Sequence, residues 1–197
     1  MAIFHLRITP LSRADGVNVI QTAARYAATV LTDHRTGERY DFTKVTGVVY
    51  QEIIGPGAGE RCWPDRQSLW VAAEQAEKRR DARVAREYQL ALPHELSATQ
   101  RIELARRWGR FIAERYHIVV DLTVQAPPSE GDQRNHYAKV LATTRQVSAM
   151  VFGDKAGIEL CSGAQCGPKE YRLLHRQWQQ FIGDALPANA AHSTDIR

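Results

Sequence analysis

Residues 131–145 read "GDQRNHYAKVLATTR", a polar loop that runs directly into a segment of strand period. Alternation places Tyr137, Lys139 and Leu141 on one face of that strand and Ala138 and Val140 on the other. Upstream, "HIVVDLTVQAP" (117–127) has the same period, with Val120, Leu122 and Val124 on one side. The intervening "QAPPSEGDQRN" has the length and composition of a hairpin loop, so two adjacent antiparallel strands are expected.

Working outward from this pair, "SATQRIELARRWGRFIAERY" is the clearest helix. Ser97 stands at its N-cap position, and Ile102, Ala105, Trp108 and Ile112 share one face. A helix is also expected over about 66–82, begun by Pro64 and Asp65, and a strand follows at 85–93, ended by Pro93. Near the N-terminus, "AIFHLRITPLS" sets Ile3, His5 and Arg7 against Phe4, Leu6 and Ile8, a short strand stopped by Pro10. "VNVIQTAARYAATVLT" (17–32) reads as a helix, "DHRTGERYDFTK" as a hairpin or loop, and "GVVYQEII" (47–54) as a strand. After residue 150 the pattern weakens until a final helix at 168–186. Strands and helices mix without βαβ regularity, which predicts an α+β fold: a central antiparallel sheet flanked by helices. Residues 1–186 are expected to form one domain and 187–197 a flexible tail.

Hydrophobic residues make up 44% of the chain and charged residues 24%, enough apolar material for a core without disulfide or metal staples. No apolar run approaches the roughly 18 residues of a membrane helix, and "MAIFHLRITPLS" lacks a signal-peptide layout, so the cytoplasm is the expected location, with no membrane partner. Cys62, Cys161 and Cys166 are read as free thiols. Cys161 and Cys166 enclose "SGAQ", but zinc would need two further ligands nearby. The net charge of +4 leans towards an acidic partner, and most of the excess lies between residues 65 and 117.

Several segments together are similar to one family. "MAIFHLRITPLSRADG", "VLTDHRTGERYDFT", "AREYQLALPHELS", "VDLTVQAPPSEGDQRNHYAKVLATTR" and "GPKEYRLLHRQW" resemble, in order over about residues 1–180, the MobA/MobL (MOBQ) relaxases of mobilizable and conjugative plasmids. The resemblance implies an HUH-endonuclease fold. It also implies a protein that binds the transfer origin, with a tyrosine attacking a DNA phosphate and a histidine-bound divalent cation assisting. Two histidines at i and i+2 on a strand point the same way and can share one metal, with a third supplied by a neighbouring strand.

At those positions this chain departs from the pattern. The paired histidines map onto Tyr137 and Lys139, the third onto Gln125, and Pro128 offers no substitute. His136 is expected on the opposite sheet face. The family tyrosine maps onto Arg25, with Tyr26 one residue later. A shift of one helical position is a rotation of about 100°, which would swing the Tyr26 side chain away from the site.

The expected function is therefore that of a relaxase-like protein of plasmid conjugation or mobilization, binding transfer-origin or single-stranded DNA without metal-dependent nicking and without a cofactor. Arg25, Arg134, Lys139 and Arg145 near the old site, with Arg79, Arg80 and the 101–110 region, are the candidate phosphate contacts. Arg25 and Lys139 read equally as exposed charges on a disused cleft. Two alternatives stand beside this. One is an active relaxase using Tyr26 and a rebuilt site, with Glu87, Asp121 or His136 as base or as ligands to Mg²⁺ or Mn²⁺. The other is a module docking onto other mobilization or secretion proteins.

Overall fold

The computed structural model describes residues 5–57, 63–160 and 167–186. The three cysteines and the expected tail at 187–197 lie outside the described residues. In chain order the elements are β1 (Leu6–Ser12), α1 (Val19–Tyr26), β2 (Val30–Thr32), β3 (Arg39–Asp41), β4 (Val48–Ile54), α2 (Arg66–Ala76) and β5 (Arg83–Leu92). There follow α3 (Ala98–Tyr116), β6 (Val120–Gln125), β7 (His136–Thr143), β8 (Arg145–Ser148), β9 (Val151–Lys155), α4 (Gly157–Leu160) and α5 (Gly167–Ala185).

Five strands form the central sheet in the order β1-β5-β7-β6-β4, and every neighbouring pair is antiparallel. Strand alternation gives the sheet two apolar faces. Tyr88, Leu90, Leu122 and Val140 meet Trp108 and Ile112 of α3 and Leu174 and Trp178 of α5. On the other side Ala85, Val119 and Leu141 meet Ile20 and Ala24 of α1 and Leu69 and Trp70 of α2. The sheet is thus covered by helices on both faces, as expected for the α+β class.

Local sequence accounts for the element ends. Ser97 and Gln100 form a reciprocal capping box at the start of α3. The same helix lies so close to the sheet that a Cβ on Gly109 would stand 2.7 Å from Ile54 Cδ1 and 3.6 Å from Val120 Cγ1. Gly109→Val is expected to cost about 1–3 kcal/mol by overpacking, read as a lower urea midpoint at an unchanged slope.

Four expectations change. β1 continues through Pro10, which pairs with Arg86; as an edge strand it presents the proline nitrogen outward, where no ladder donor is needed. The helix expected over 17–32 ends at Tyr26, because Thr29–Thr32 are drawn into a hairpin with β3 around Gly37 at φ 77°. The helix expected to reach 82 stops at Ala76, where the Arg13 guanidinium takes the carbonyls of Glu74 (2.8 Å), Glu77 (2.9 Å) and Arg79 (3.0 Å). A third hairpin, β8–β9, occupies a stretch in which alternation was too short to read.

Candidate functional site

Directly paired residues of antiparallel strands send their side chains to the same face. The register therefore sets Arg7, Gln89, Lys139, Thr123 and Gln51 in one row across the sheet. Ala91, Tyr137, Gln125 and Val48 form the next row towards one end, and Glu87, Leu141 and Asp121 the row towards the other. All three rows lie on the α1/α2 side.

Around Lys139 the polar side chains converge. Its ammonium donates to Glu87 Oε1 at 2.6 Å and to Gln89 Oε1 at 2.9 Å. The Tyr26 hydroxyl donates to the same Glu87 oxygen at 2.8 Å, and Lys139 Nζ stands 4.9 Å from the Tyr26 ring centroid, within cation–π range. Tyr137 donates its hydroxyl to Gln125 Oε1 at 2.5 Å, and Gln125 Nε2 donates to the Tyr26 carbonyl at 3.3 Å. Burial, reinforced by the Glu87 carboxylate, pushes the Tyr26 phenol well above its ordinary pKa.

Gln125, Tyr137 and Lys139 are thus brought together, as the strand pattern requires. Tyr26 joins them, which corrects the rotation expected from the one-residue shift. That rotation assumes a helix continuing past the residue. Tyr26 is the last residue of α1, Ala27 caps it and Ala28 turns the chain at φ 50°. With its own carbonyl held by Gln125, the phenol lies across the sheet rather than away from it. Arg25 stays exposed at the rim, its guanidinium carbon 5.7 Å from the Tyr26 ring centroid.

A divalent cation does not fit this donor set. Lys139 is itself a cation, Gln125 Oε1 is taken by Tyr137, and Glu87 Oε1 already accepts two hydrogen bonds. Among the described residues no cluster of three or more His, Cys, Asp and Glu side chains has metal-holding geometry. Asp121, a candidate ligand or base for a rebuilt site, is committed elsewhere: buried, it accepts from Arg66 Nε at 2.7 Å and from Trp70 Nε1 at 2.9 Å. His136 is paired with Leu92 and lines a cavity of about 170 Å³ with His94 and Arg134. Burial, then Arg101 and His94, hold its imidazole below the usual pKa.

The basic candidates divide sharply. Arg145 is not near Lys139: it donates to Glu77 Oε1 at 2.7 Å and to the Gly153 carbonyl at 2.8 Å. Arg79 pairs with Asp81, and Arg79 and Arg80 sit in the turn before β5, beyond the far end of the strand from Gln89. Arg134 pairs with Asp132 in the β6–β7 loop. In α3, Arg106, Arg107 and Arg110 are paired with Glu52, Asp184 and Glu103. Arg79, Arg106, Arg107, Arg110 and Arg134 thus have local carboxylate partners, and none of them lies in the three rows around Lys139. Sequence reading missed Arg7, which is exposed and shares the Lys139 row. Its alternation with the buried Leu6 was legible, but the strand neighbour that aligns it with Lys139 was not. Among the described residues neither Arg7 nor Arg25 is in an ion pair.

Arg145 belongs to a buried network that gives a pH signature. Burial alone would raise the Glu77 carboxyl, but hydrogen bonds from Arg145 and Lys155 outweigh it and hold the group below the usual range. A depressed folded-state pKa stabilises the fold above the ordinary carboxylate range, and that contribution fades as pH falls through the lowered value. The melting temperature of Glu77→Gln is therefore expected to lie below wild type near neutrality, with the gap narrowing as pH drops from about 5 to 2.

Residues 18–191 match the MobA/MobL family. Mobilization protein MobL of Acidithiobacillus ferridurans is 40% identical over 133 residues, 68% of this chain and 34% of that protein. Conjugal transfer protein TraA of Rhizobium radiobacter is 28% identical over 196 residues, 93% of this chain and 17% of TraA. The chain thus spans about a third or less of these relatives. Among solved structures, one concerning vancomycin resistance transfer in Staphylococcus aureus superposes with a TM-score of 0.78 at 21% identity, covering 98% of this chain and 95% of that one. Conjugative relaxase TrwC in complex with oriT DNA, metal-bound, superposes at 0.56 with 13% identity, covering 98% and 72%. These likenesses establish the HUH relaxase fold. With the family match running from α1 through α5, the chain belongs to the MobA/MobL family of mobilization proteins.

Proposed function

We propose that this chain is a DNA-binding domain of plasmid conjugation or mobilization that engages transfer-origin or single-stranded DNA without metal-dependent nicking. The observation that carries the reading is the Lys139 ammonium, which stands at a position where the family's metal-binding histidines are expected. Arg7 and Arg25 flank it without carboxylate partners among the described residues. An ammonium attracts a phosphate as a point charge and needs no second ion. The Arg134–Asp132 pair is exposed, so a phosphate can compete for its guanidinium at little cost.

Fluorescence anisotropy with labelled single-stranded oligonucleotides, in excess EDTA and over a range of KCl concentrations, tests the reading. Binding should weaken linearly in log–log form, with a slope of about −0.7 per phosphate neutralised. Binding that is absent, or indifferent to salt, contradicts it.

A further inference from the structure

We propose that the outward face of α5 docks an acidic helical segment of a partner protein, through a row of three cations, Lys169, Arg172 and Arg176. α5 packs on the sheet face away from Lys139, through Leu174, Trp178 and Ile182, all fully buried. At 3.6 residues per turn, Lys169, Arg172 and Arg176 fall within about 60° of one another, opposite that buried seam. All three residues are exposed, and among the described residues none of them is in an ion pair. The row runs about 10 Å along the helix at 1.5 Å per residue. The charges of this helix are sorted. Its two carboxylates turn to α3, where Glu170 takes Arg115 at 2.8 Å and Asp184 takes Arg107 at 2.9 Å. Arg106 and Arg110 of α3 are held in turn by Glu52 and Glu103. The arginines of α3 beside the row are thus closed into pairs, and the unbalanced positive charge stands on α5.

That shape selects the occupant. Carboxylates three, four and seven positions apart line one face of a helix, so an acidic helix laid along α5 meets all three cations at their own spacing. Duplex DNA is matched less well. Its phosphate strands stand about 12 Å apart across the major groove and about 6 Å across the minor, and a single row reaches only one of them. A single strand of nucleic acid is held by aromatic platforms on which its bases stack, and the aromatic side chains of α5 turn inward. Trp178 and Phe181 are buried against Trp108, and Tyr171 accepts from Arg86 at 2.6 Å. The surface lies across the sheet from the DNA site proposed above and does not depend on it.

The test uses two fluorescein-labelled helical peptides of identical Ala, Gln and Glu composition. One repeats Glu at i, i+4 and i+7 along one face; the other spreads the same Glu residues around the helix. Anisotropy is read in about 0.1 M KCl, where charges more than about 10 Å apart are largely screened. The one-faced peptide is expected to bind about three- to tenfold tighter than the other. Arg172→Glu/Arg176→Glu should weaken it by at least about tenfold. Arg39→Glu/Lys44→Glu makes the same change in net charge on the other side of the sheet and should leave it within about twofold. Carbodiimide, which condenses a peptide carboxylate with a lysine amine, should link the peptide to Lys169, read by mass spectrometry. Melting curves verify that the exposed substitutions leave the fold intact. Absent peptide binding, equal binding of the two peptides, indifference to the α5 substitutions, or linkage to lysines other than Lys169 overturns the proposal. So does a random-sequence duplex or single strand that displaces the peptide and itself binds at least about tenfold more weakly to the α5 variant, which would make the row a nucleic-acid contact.

Discussion

Lys139→Glu is expected to weaken single-stranded DNA binding by about 30- to 1,000-fold, or about 2–4 kcal/mol. The side chain is largely enclosed, 15% exposed against 12% for Glu87. The substitution removes the ammonium and sets a second carboxylate against Glu87, turning the centre of the Arg7–Lys139–Arg25 surface from attractive to repulsive for a phosphate. The salt slope should also fall by about one phosphate equivalent. Lys139→Met separates the two contributions: it deletes the contact without adding repulsion, so its loss should be smaller while its slope change stays similar. Anisotropy titrations of the three proteins at several salt concentrations read both quantities. Equal affinities for wild type and Lys139→Glu would place the DNA elsewhere.

The second large effect is on stability. Asp121→Ala is expected to destabilise the fold by about 3–5 kcal/mol, because it takes the carboxylate from the largely enclosed Arg66 guanidinium and the acceptor from the buried Trp70 indole N–H. Asp121 is 2% exposed, and both its oxygens accept from Arg66 while one also accepts the Trp70 indole N–H. Arg66 in turn donates to Gln51 at 2.8 Å, so the carboxylate ties α2 to both β6 and β4. At about 2–4 °C per kcal/mol for a chain of this size, the melting temperature should fall by roughly 10–15 °C. Asp121→Asn should fall less, since an amide oxygen still accepts from Trp70. Calorimetric melts of the two variants decide it; an Asp121→Ala melt within a degree or two of wild type would remove the network from the account of the fold.

The parts of this fold legible in the sequence are those written in side-chain period and capping chemistry. The alternation of 120–125 and 136–143 gave the two central strands, and Ser97 marked the start of α3. Those same strands placed Gln125, Tyr137 and Lys139 on one patch, because register and alternation are local properties. What could not be read depends on distant contacts. No local signal announces that Arg13 takes the carbonyls ending α2, or that Pro10 lies on a sheet edge. The basic residues illustrate the same limit. Within "EKRRDARVAR", no local signal announces that Arg86 pairs with the buried Glu159 while Arg79 stays exposed beside Asp81. The misjudged direction of Tyr26 came from treating the end of a helix as its middle.

The central claim is that an ammonium occupies the place of a divalent ion in a working DNA site. Its most direct test is the affinity of the intact protein for one labelled single strand, measured in excess EDTA and again in Mn²⁺, beside Lys139→Met under both conditions. The account predicts an affinity for wild type that does not depend on Mn²⁺ and a clear loss in Lys139→Met. Wild-type binding that tightens about tenfold or more with Mn²⁺, or Lys139→Met binding as wild type does, would contradict it.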